Sequence, residues 1–168
     1  IKQPIIESVT ANGKVEPEKE VKISPDVSGE IVELIVKEGD YVKKGTLLFK
    51  IKPENYISAR DRAMAAVNSS QAMMAQAEAQ LIQAELSYKR NKQLWDEKTI
   101  SESEFEQAEA QYKIAKASKE NALFTVKSAE ASLKEANENL IKTTVYSPME
   151  GTISSLSVEQ GERVVGAN

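Results

Sequence analysis

Few side chains in this sequence are equipped for chemistry. It contains no His and no Cys, which removes imidazole acid-base catalysis, thiolate nucleophiles and the usual zinc ligand sets. Carboxylates are abundant, and Glu102, Glu104 and Glu106 crowd one stretch. Paired acids of this kind serve glycoside hydrolysis or metal binding when a cleft surrounds them. Here no cleft-forming pattern does, and their place directly after Ser101 reads as a helix first turn whose acids complement the positive end of the dipole. There is no Gly-rich phosphate loop and no nucleophile motif. The chain is therefore read as non-enzymatic, with no catalytic, cofactor-binding or metal residues.

The elements that hold this stretch follow from punctuation. All seven Gly lie at or before Gly45 or at or after Gly151, and from Glu54 to Ser147 there is neither Gly nor Pro. That interior is rich in Ala, Gln, Glu, Lys and Leu and reads as helix, whereas the flanks, dense in Val, Ile, Thr and Gly, read as strands and turns. The order is β, long α, β. Pro53 with Glu54 fits a helix start. Ser101 and Glu104 have capping-box spacing, and Ile100 and Phe105 fall at the two positions of a hydrophobic staple, so the second helix begins at about residue 102.

The bulk numbers bound the remainder. With 168 residues, 40% apolar and 29% charged, one or two small domains are possible. A net charge of −4 and a pI near 5.1 give no general attraction to nucleic acid. No apolar run approaches the roughly 18 to 20 residues that span a bilayer, and Ile1-Lys2-Gln3-Pro4 is not a secretory signal. Both ends fall in strand-like sequence, which is read as an internal piece of a longer protein.

In the flanks, alternating segments around Ile5 to Ala11 and Glu18 to Ile23, separated by Asn12-Gly13, predict two strands. The nearly all-apolar run Ile31 to Val36 predicts a strand covered on both faces, followed by a strand at Leu47 to Ile51. The segment from Ser24-Pro25 through Gly29-Glu30-Ile31 and Gly39-Asp40 to Val42 recurs, with one residue deleted, from Ser147-Pro148 through Gly151-Thr152-Ile153 and Gly161-Glu162 to Val164. A repeat interrupted by about a hundred residues implies two half-domains that close on each other when the insert doubles back.

The insert carries a heptad seam with large residues in one column and small ones in the other. Helix one places Val67, Met74, Leu81, Tyr88 and Trp95 opposite a small column of Ser70, Ala77, Ala84 and Asn91. Helix two places Phe105, Tyr112, Lys119, Val126, Leu133 and Leu140 beside Ala108, Ala115, Ala122, Ala129 and Ala136. Constant layer volume favours an antiparallel register that pairs large with small. Trp95 then faces Ala108, Tyr88 Ala115, Leu81 Ala122, Met74 Ala129, Val67 Ala136, and the stem of Lys119 lies over Ala84.

The two half-repeats with their helical insert resemble the periplasmic adaptor (membrane fusion protein, HlyD-like) family of bacterial efflux pumps and type I secretion systems. The resemblance implies an α+β fold: a biotinyl/lipoyl-like sandwich split by a long antiparallel coiled-coil hairpin, with N-terminal strands of a β-barrel domain. The implied divisions are a partial barrel region at 1–20, one lipoyl-like half at 21–52, the hairpin at 53–142 with helices of about 54–96 and 102–141, and the second half at 143–168. In the family, the hairpin tip that meets a TolC-like outer-membrane channel carries Arg, Leu and Ser at R-x-x-x-L-x-x-x-x-x-x-S, a spacing that Arg90, Leu94 and Ser101 match.

By that resemblance the protein bridges an inner-membrane transporter, ATP-driven or of the resistance-nodulation type, to the outer-membrane channel. It would sit in the periplasm of a Gram-negative envelope, anchored to the inner membrane, as a homo-oligomer that is hexameric by family analogy. Its polar outer faces, with Gln71, Gln76, Gln80 and Gln83, would pair laterally. The strands at Ile5 to Ile23 and the hairpin length lean toward the ATP-driven macrolide-exporter type. One competing reading is a lipoyl or biotin carrier modified at Lys50 or Lys52, although Leu47 to Pro53 runs straight into helix without the β-turn that a carrier lysine occupies. A coiled-coil scaffold without a transport role is another.

Overall fold

The computed structural model describes residues 20–166. Glu54–Asp96 forms helix α1 and Glu102–Ile141 helix α2. Strands β1 (Gly29–Leu34), β2 (Tyr41–Val42) and β3 (Leu47–Ile51) precede them, and β4 (Thr144–Tyr146), β5 (Gly151–Thr152) and β6 (Arg163–Val164) follow. The strand expected at Ile5 to Ala11 lies outside the described residues. Of the second expected strand, Glu20 to Ile23 is described and belongs to no sheet.

Every strand after the hairpin pairs, antiparallel, with one before it. One sheet has the order β4-β3-β1-β6, and the other is β2-β5. The repeat appears here as an exchange of equivalent bonds. Gly39 N–H donates to Ile153 O at 2.9 Å, and its counterpart Gly161 N–H to Ile31 O at 2.8 Å. Ile31 N–H donates to Glu162 O and Ile153 N–H to Asp40 O, at 2.9 and 3.0 Å. Gly29 pairs with Val164 as Gly151 pairs with Val42. Both copies turn at a glycine with φ near +90°, and both acids beyond it accept a backbone N–H three residues back, Lys37 N to Asp40 at 2.8 Å and Glu159 N to Glu162 at 3.0 Å. Each half thus leaves open the groups the other half satisfies.

Ile31 and Ile51 lie at the centre of the core, packed with Val27, Val36, Val42, Leu48, Phe49 and Val164. The expectation that the strand from Ile31 to Val36 is covered on both faces does not hold. A bulge between Ile31 and Glu33 breaks the alternation, because the extra residue shifts the side-chain phase. Ile31, Leu34 and Val36 point inward while Val32 and Ile35 are exposed. Tyr56 hydroxyl donates to Ser28 O at 2.7 Å and ties the first turn of α1 to this core.

At about 1.5 Å per residue, helices of 43 and 40 residues make a rod of roughly 60 Å. Its register differs from the one expected. Tyr88 stacks on Tyr112 with centroids 5.2 Å apart and rings 14° from parallel, and Trp95 stacks on Phe105 at 5.9 Å and 10°. The large columns therefore meet each other. The small columns do likewise: Ala77 and Ala122 line one shallow groove, Asn91 and Ala108 another. Offset-stacked aromatic pairs are themselves favourable, so rings meet rings across the seam and constant layer volume did not choose the register. Lys119, expected over Ala84, instead reaches Glu78 on the other helix at 2.7 Å. Ser70, Ala77, Ala84 and Ala115 are buried along the small columns; Val67 and Val126 are buried in the large ones, where Met74, Leu81, Tyr88 and Trp95 stay half-buried. Ala108, Ala122, Ala129 and Ala136 are also half-buried.

Candidate functional site

The tip is built by two interlocking helix ends. Helix α1 closes with Lys98 in the left-handed conformation at φ 58°. Lys98 N–H donates to Trp95 O at 2.8 Å and Thr99 N–H to Leu94 O at 2.9 Å, the paired bonds of a Schellman motif. Thr99 hydroxyl adds a second bond to Leu94 O at 2.8 Å. No glycine marks this position, so the sequence signal for it was missing.

Helix α2 opens with the full capping box. Glu104 N–H donates to Ser101 Oγ at 3.3 Å, while Ser101 N–H and its hydroxyl donate to Glu104 Oε2 at 2.9 and 2.8 Å. The Ser101 N–H bond first, then its hydroxyl, hold the Glu104 carboxyl below its ordinary pKa. The hydroxyl proton of Ser101 is committed inward, so toward a partner the residue offers an acceptor lone pair and its backbone rather than a donor. Ile100 and Phe105, flanking the cap, are half-buried.

Arg90 and Leu94, four apart, share one face of α1. Arg90 is exposed and Leu94 half-buried. Beside them runs the groove lined by Ser87, Asn91, Ile100, Gln107, Ala108 and Gln111. Asn91 is turned onto its own helix, donating to Ser87 O at 2.9 Å. Arg90 and Ser101, by contrast, both stand at the surface near the turn.

The hairpin's two broad faces differ in charge, which the heptad reading missed although the columns carry it. The face flanking the small columns reads Ala66, Met73, Gln80 and Ser87 on α1, and Gln111, Ser118, Thr125 and Ser132 on α2. The opposite face carries the ion pairs Lys89–Glu85, Lys113–Glu109 and Lys119–Glu78.

Lys50 and Lys52, the residues of the carrier reading, sit in and just after β3. Lys50 pairs with Glu33 at 2.7 Å, and Lys52 lies 3.9 Å from Glu30. Neither occupies a turn. Among the described residues no group of three or more acidic, His or Cys side chains is placed to hold a metal ion, and no helix is long and apolar enough to cross a membrane.

The profile described as "RND MFP, barrel-sandwich hybrid domain" matches residues 19–168. This chain belongs to that membrane fusion protein family. Over 161 residues it is 31% identical to the macrolide export protein MacA of Escherichia coli O157:H7, covering 96% of this chain and 43% of that protein. It is 30% identical over 162 residues to the multidrug efflux pump subunit AcrA of Escherichia coli K12, covering 96% and 37%. The crystal structure of MacA from Actinobacillus actinomycetemcomitans superposes with a TM-score of 0.83 at 33% identity, over 88% of this chain and 45% of that one. The chain thus spans less than half the length of the curated relatives it matches.

Proposed function

We propose that this membrane fusion protein segment is the reach of a periplasmic efflux adaptor, bridging an inner-membrane transporter to a TolC-like outer-membrane channel for export of drugs or other small molecules. The observation that carries it is the tip: a rod of roughly 60 Å, anchored in a closed split sandwich, ends in a turn fixed by a Schellman motif and a capping box. A turn specified twice presents Arg90, Leu94 and Ser101 in one arrangement. Arg90 supplies charge-assisted contacts to carbonyls or carboxylates of the channel end, Leu94 an apolar knob and Ser101 a close approach of backbone. The names of the relatives, a macrolide export protein and a multidrug efflux pump subunit, support small molecules as cargo. The carrier reading is disfavoured by lysines that are ion-paired along a strand.

Arg90→Asp tests this in cells. Arg90 is exposed, so helicity and melting should be unchanged while drug export falls to the level of a deletion strain. Export that survives the charge reversal refutes the tip assignment.

A further inference from the structure

The rod meets the sandwich through two short linkers. Lys52 and Pro53 separate β3 from α1, and Lys142 and Thr143 separate α2 from β4. The linkers lie side by side, since β3 pairs with β4 and Ile51 N–H donates to Thr143 O at 2.7 Å. Among the described residues neither helix packs broadly on a strand. Two attachments define a line and leave rotation about it free, so residues at the ends of elements act as a hinge unless a third contact lies off that line. Tyr56 supplies one. Its ring packs against the core and its hydroxyl donates to Ser28 O at 2.7 Å, which among the described residues is the hydrogen bond that joins a helix to the sandwich.

Ser28 is itself braced from the other side. It precedes β1, and its Oγ accepts Gly166 N–H, from beyond β6, at 2.9 Å. The half-repeats differ at this point: three residues separate Ser24-Pro25 from Gly29, and two separate Ser147-Pro148 from Gly151. In the shorter copy the Ser147 hydroxyl donates to Met149 O within its own loop. The hairpin is therefore tied to the longer copy alone. On the α2 side Lys142 Nζ lies 3.9 Å from Asp26, but both side chains are exposed and such a pair contributes little. A helix with its side chains has a radius of about 6 Å and the tip stands roughly 60 Å from the base, so slack of about 0.5 Å at Tyr56 becomes about 5 Å at the tip.

We infer that Tyr56 is a positioning residue for the tip: acting through Ser28 O, it is the third point that fixes the direction of the rod over the sandwich. Phe at this position would fill the same core space but carry no donor, so the direction depends on the hydroxyl and not on the ring. The inference rests on the adaptor reading for the use of a fixed direction, which is to present Arg90, Leu94 and Ser101 at one place. It assigns a part in that presentation to a residue at the opposite end of the rod.

The test reads a distance in the full-length protein, spin-labelled at Lys44→Cys on the sandwich and Lys116→Cys on α2, and diluted with unlabelled protein so that only distances within one copy are measured. Both positions are exposed, and residues 1–168 contain no cysteine. Lys116 lies about 38 Å up the rod from Ile141, where the same slack at Tyr56 gives about 3 Å. Pulsed electron resonance should show one narrow distance peak for the starting protein. Tyr56→Phe should broaden the peak by that amount with helicity kept, and drug export should fall toward the level of a deletion strain. Lys142→Ala should leave the width unchanged. An unchanged width in Tyr56→Phe, or an equal broadening in Lys142→Ala, overturns the inference. Lost helicity in Tyr56→Phe, which would make the residue structural, also overturns it, as does undiminished export from a broadened rod. The distance measurement needs no partner, so its failure is distinguishable from failure of the adaptor reading, which export in Arg90→Asp reads.

Discussion

The hairpin register can be tested by a double-mutant cycle on Tyr88 and Tyr112, the most closely stacked pair across the seam. Truncating a fully buried aromatic to Ala costs about 3–5 kcal/mol. Both tyrosines are half-buried, so each single change should cost about 2 kcal/mol. Tyr88→Ala should cost more than Tyr112→Ala, because the Tyr88 ring also lies 5.8 Å from Phe105. The stack itself is worth about 0.5–1.5 kcal/mol beyond the buried area, and the double variant should be less destabilised than the sum of the singles by that amount. Urea unfolding followed by circular dichroism measures the cycle. The single tryptophan, Trp95, stacked on Phe105 near the tip, gives an independent probe, and coincidence of the two curves checks that unfolding is two-state. Single-variant costs that add within about 0.3 kcal/mol would mean that the rings do not stack, and would refute this register.

Three further outcomes follow from local geometry. Ser101→Ala removes the acceptor for Glu104 N–H and one donor to its carboxylate, and should cost about 1 kcal/mol in urea unfolding. Because the folded carboxyl of Glu104 titrates below its ordinary value, its contribution is complete above the unfolded pKa and is lost as pH falls through the lower folded one; Glu104→Gln should flatten that acid limb of a melting-temperature profile, and an unchanged limb counts against the bond. Lys98→Gly relieves the left-handed strain at φ 58° and should raise stability by about 1 kcal/mol, or Tm by about 2–4 °C; a lower Tm would mean that the turn adopts another backbone. Gly166→Ala would set a Cβ 2.7 Å from Asp26 O and 3.1 Å from Val27 Cα, both backbone atoms, and should cost about 1–3 kcal/mol; a neutral result would show that the two halves do not close this tightly.

Much of this architecture is written in the sequence by residue type, because type is what strands, helices and caps respond to. The Gly-free interior, the alternation of large and small residues every seven positions, and Ser101 with Glu104 are local signals with local causes. The split sandwich is legible for another reason: Gly29-x-Ile31 and Gly151-x-Ile153 recur, so each half announces the partner it needs. What escaped depends on geometry that residue type does not encode. Register in the hairpin turns on whether aromatic rings lie flat, and Tyr88 on Tyr112 is a matter of ring orientation rather than volume. The bulge between Ile31 and Glu33 changes which side chains face inward without leaving a glycine behind. The Schellman turn at Lys98 is hidden in the same way, since a residue that is neither Gly nor Asn accepts the left-handed conformation there. At the candidate site, the spacing of Arg90, Leu94 and Ser101 is visible in the chain, but the inward commitment of the Ser101 hydroxyl is visible only in three dimensions.

The energetics of the rod bear on why such a hairpin is built at all. Helices of 43 and 40 residues bury only Val67, Ser70, Ala77, Ala84, Ala115 and Val126. Each ordered residue costs about 1–2 kcal/mol of backbone entropy, and an isolated helix recovers little beyond its own hydrogen bonds. One two-helix seam is a thin return on that cost, and several large apolar side chains, Met73, Leu86, Ile114 and Phe124 among them, remain in water. The sandwich does not make up the difference, because its contacts with the rod are concentrated at the base, where Tyr56 bonds Ser28 O. Stability of the distal half should therefore depend on what lies beside it. Hydrogen exchange reads this directly: in the single chain, protection should fall steadily from the base toward Trp95 and Phe105. Uniformly high protection in the single chain would show that the seam alone suffices.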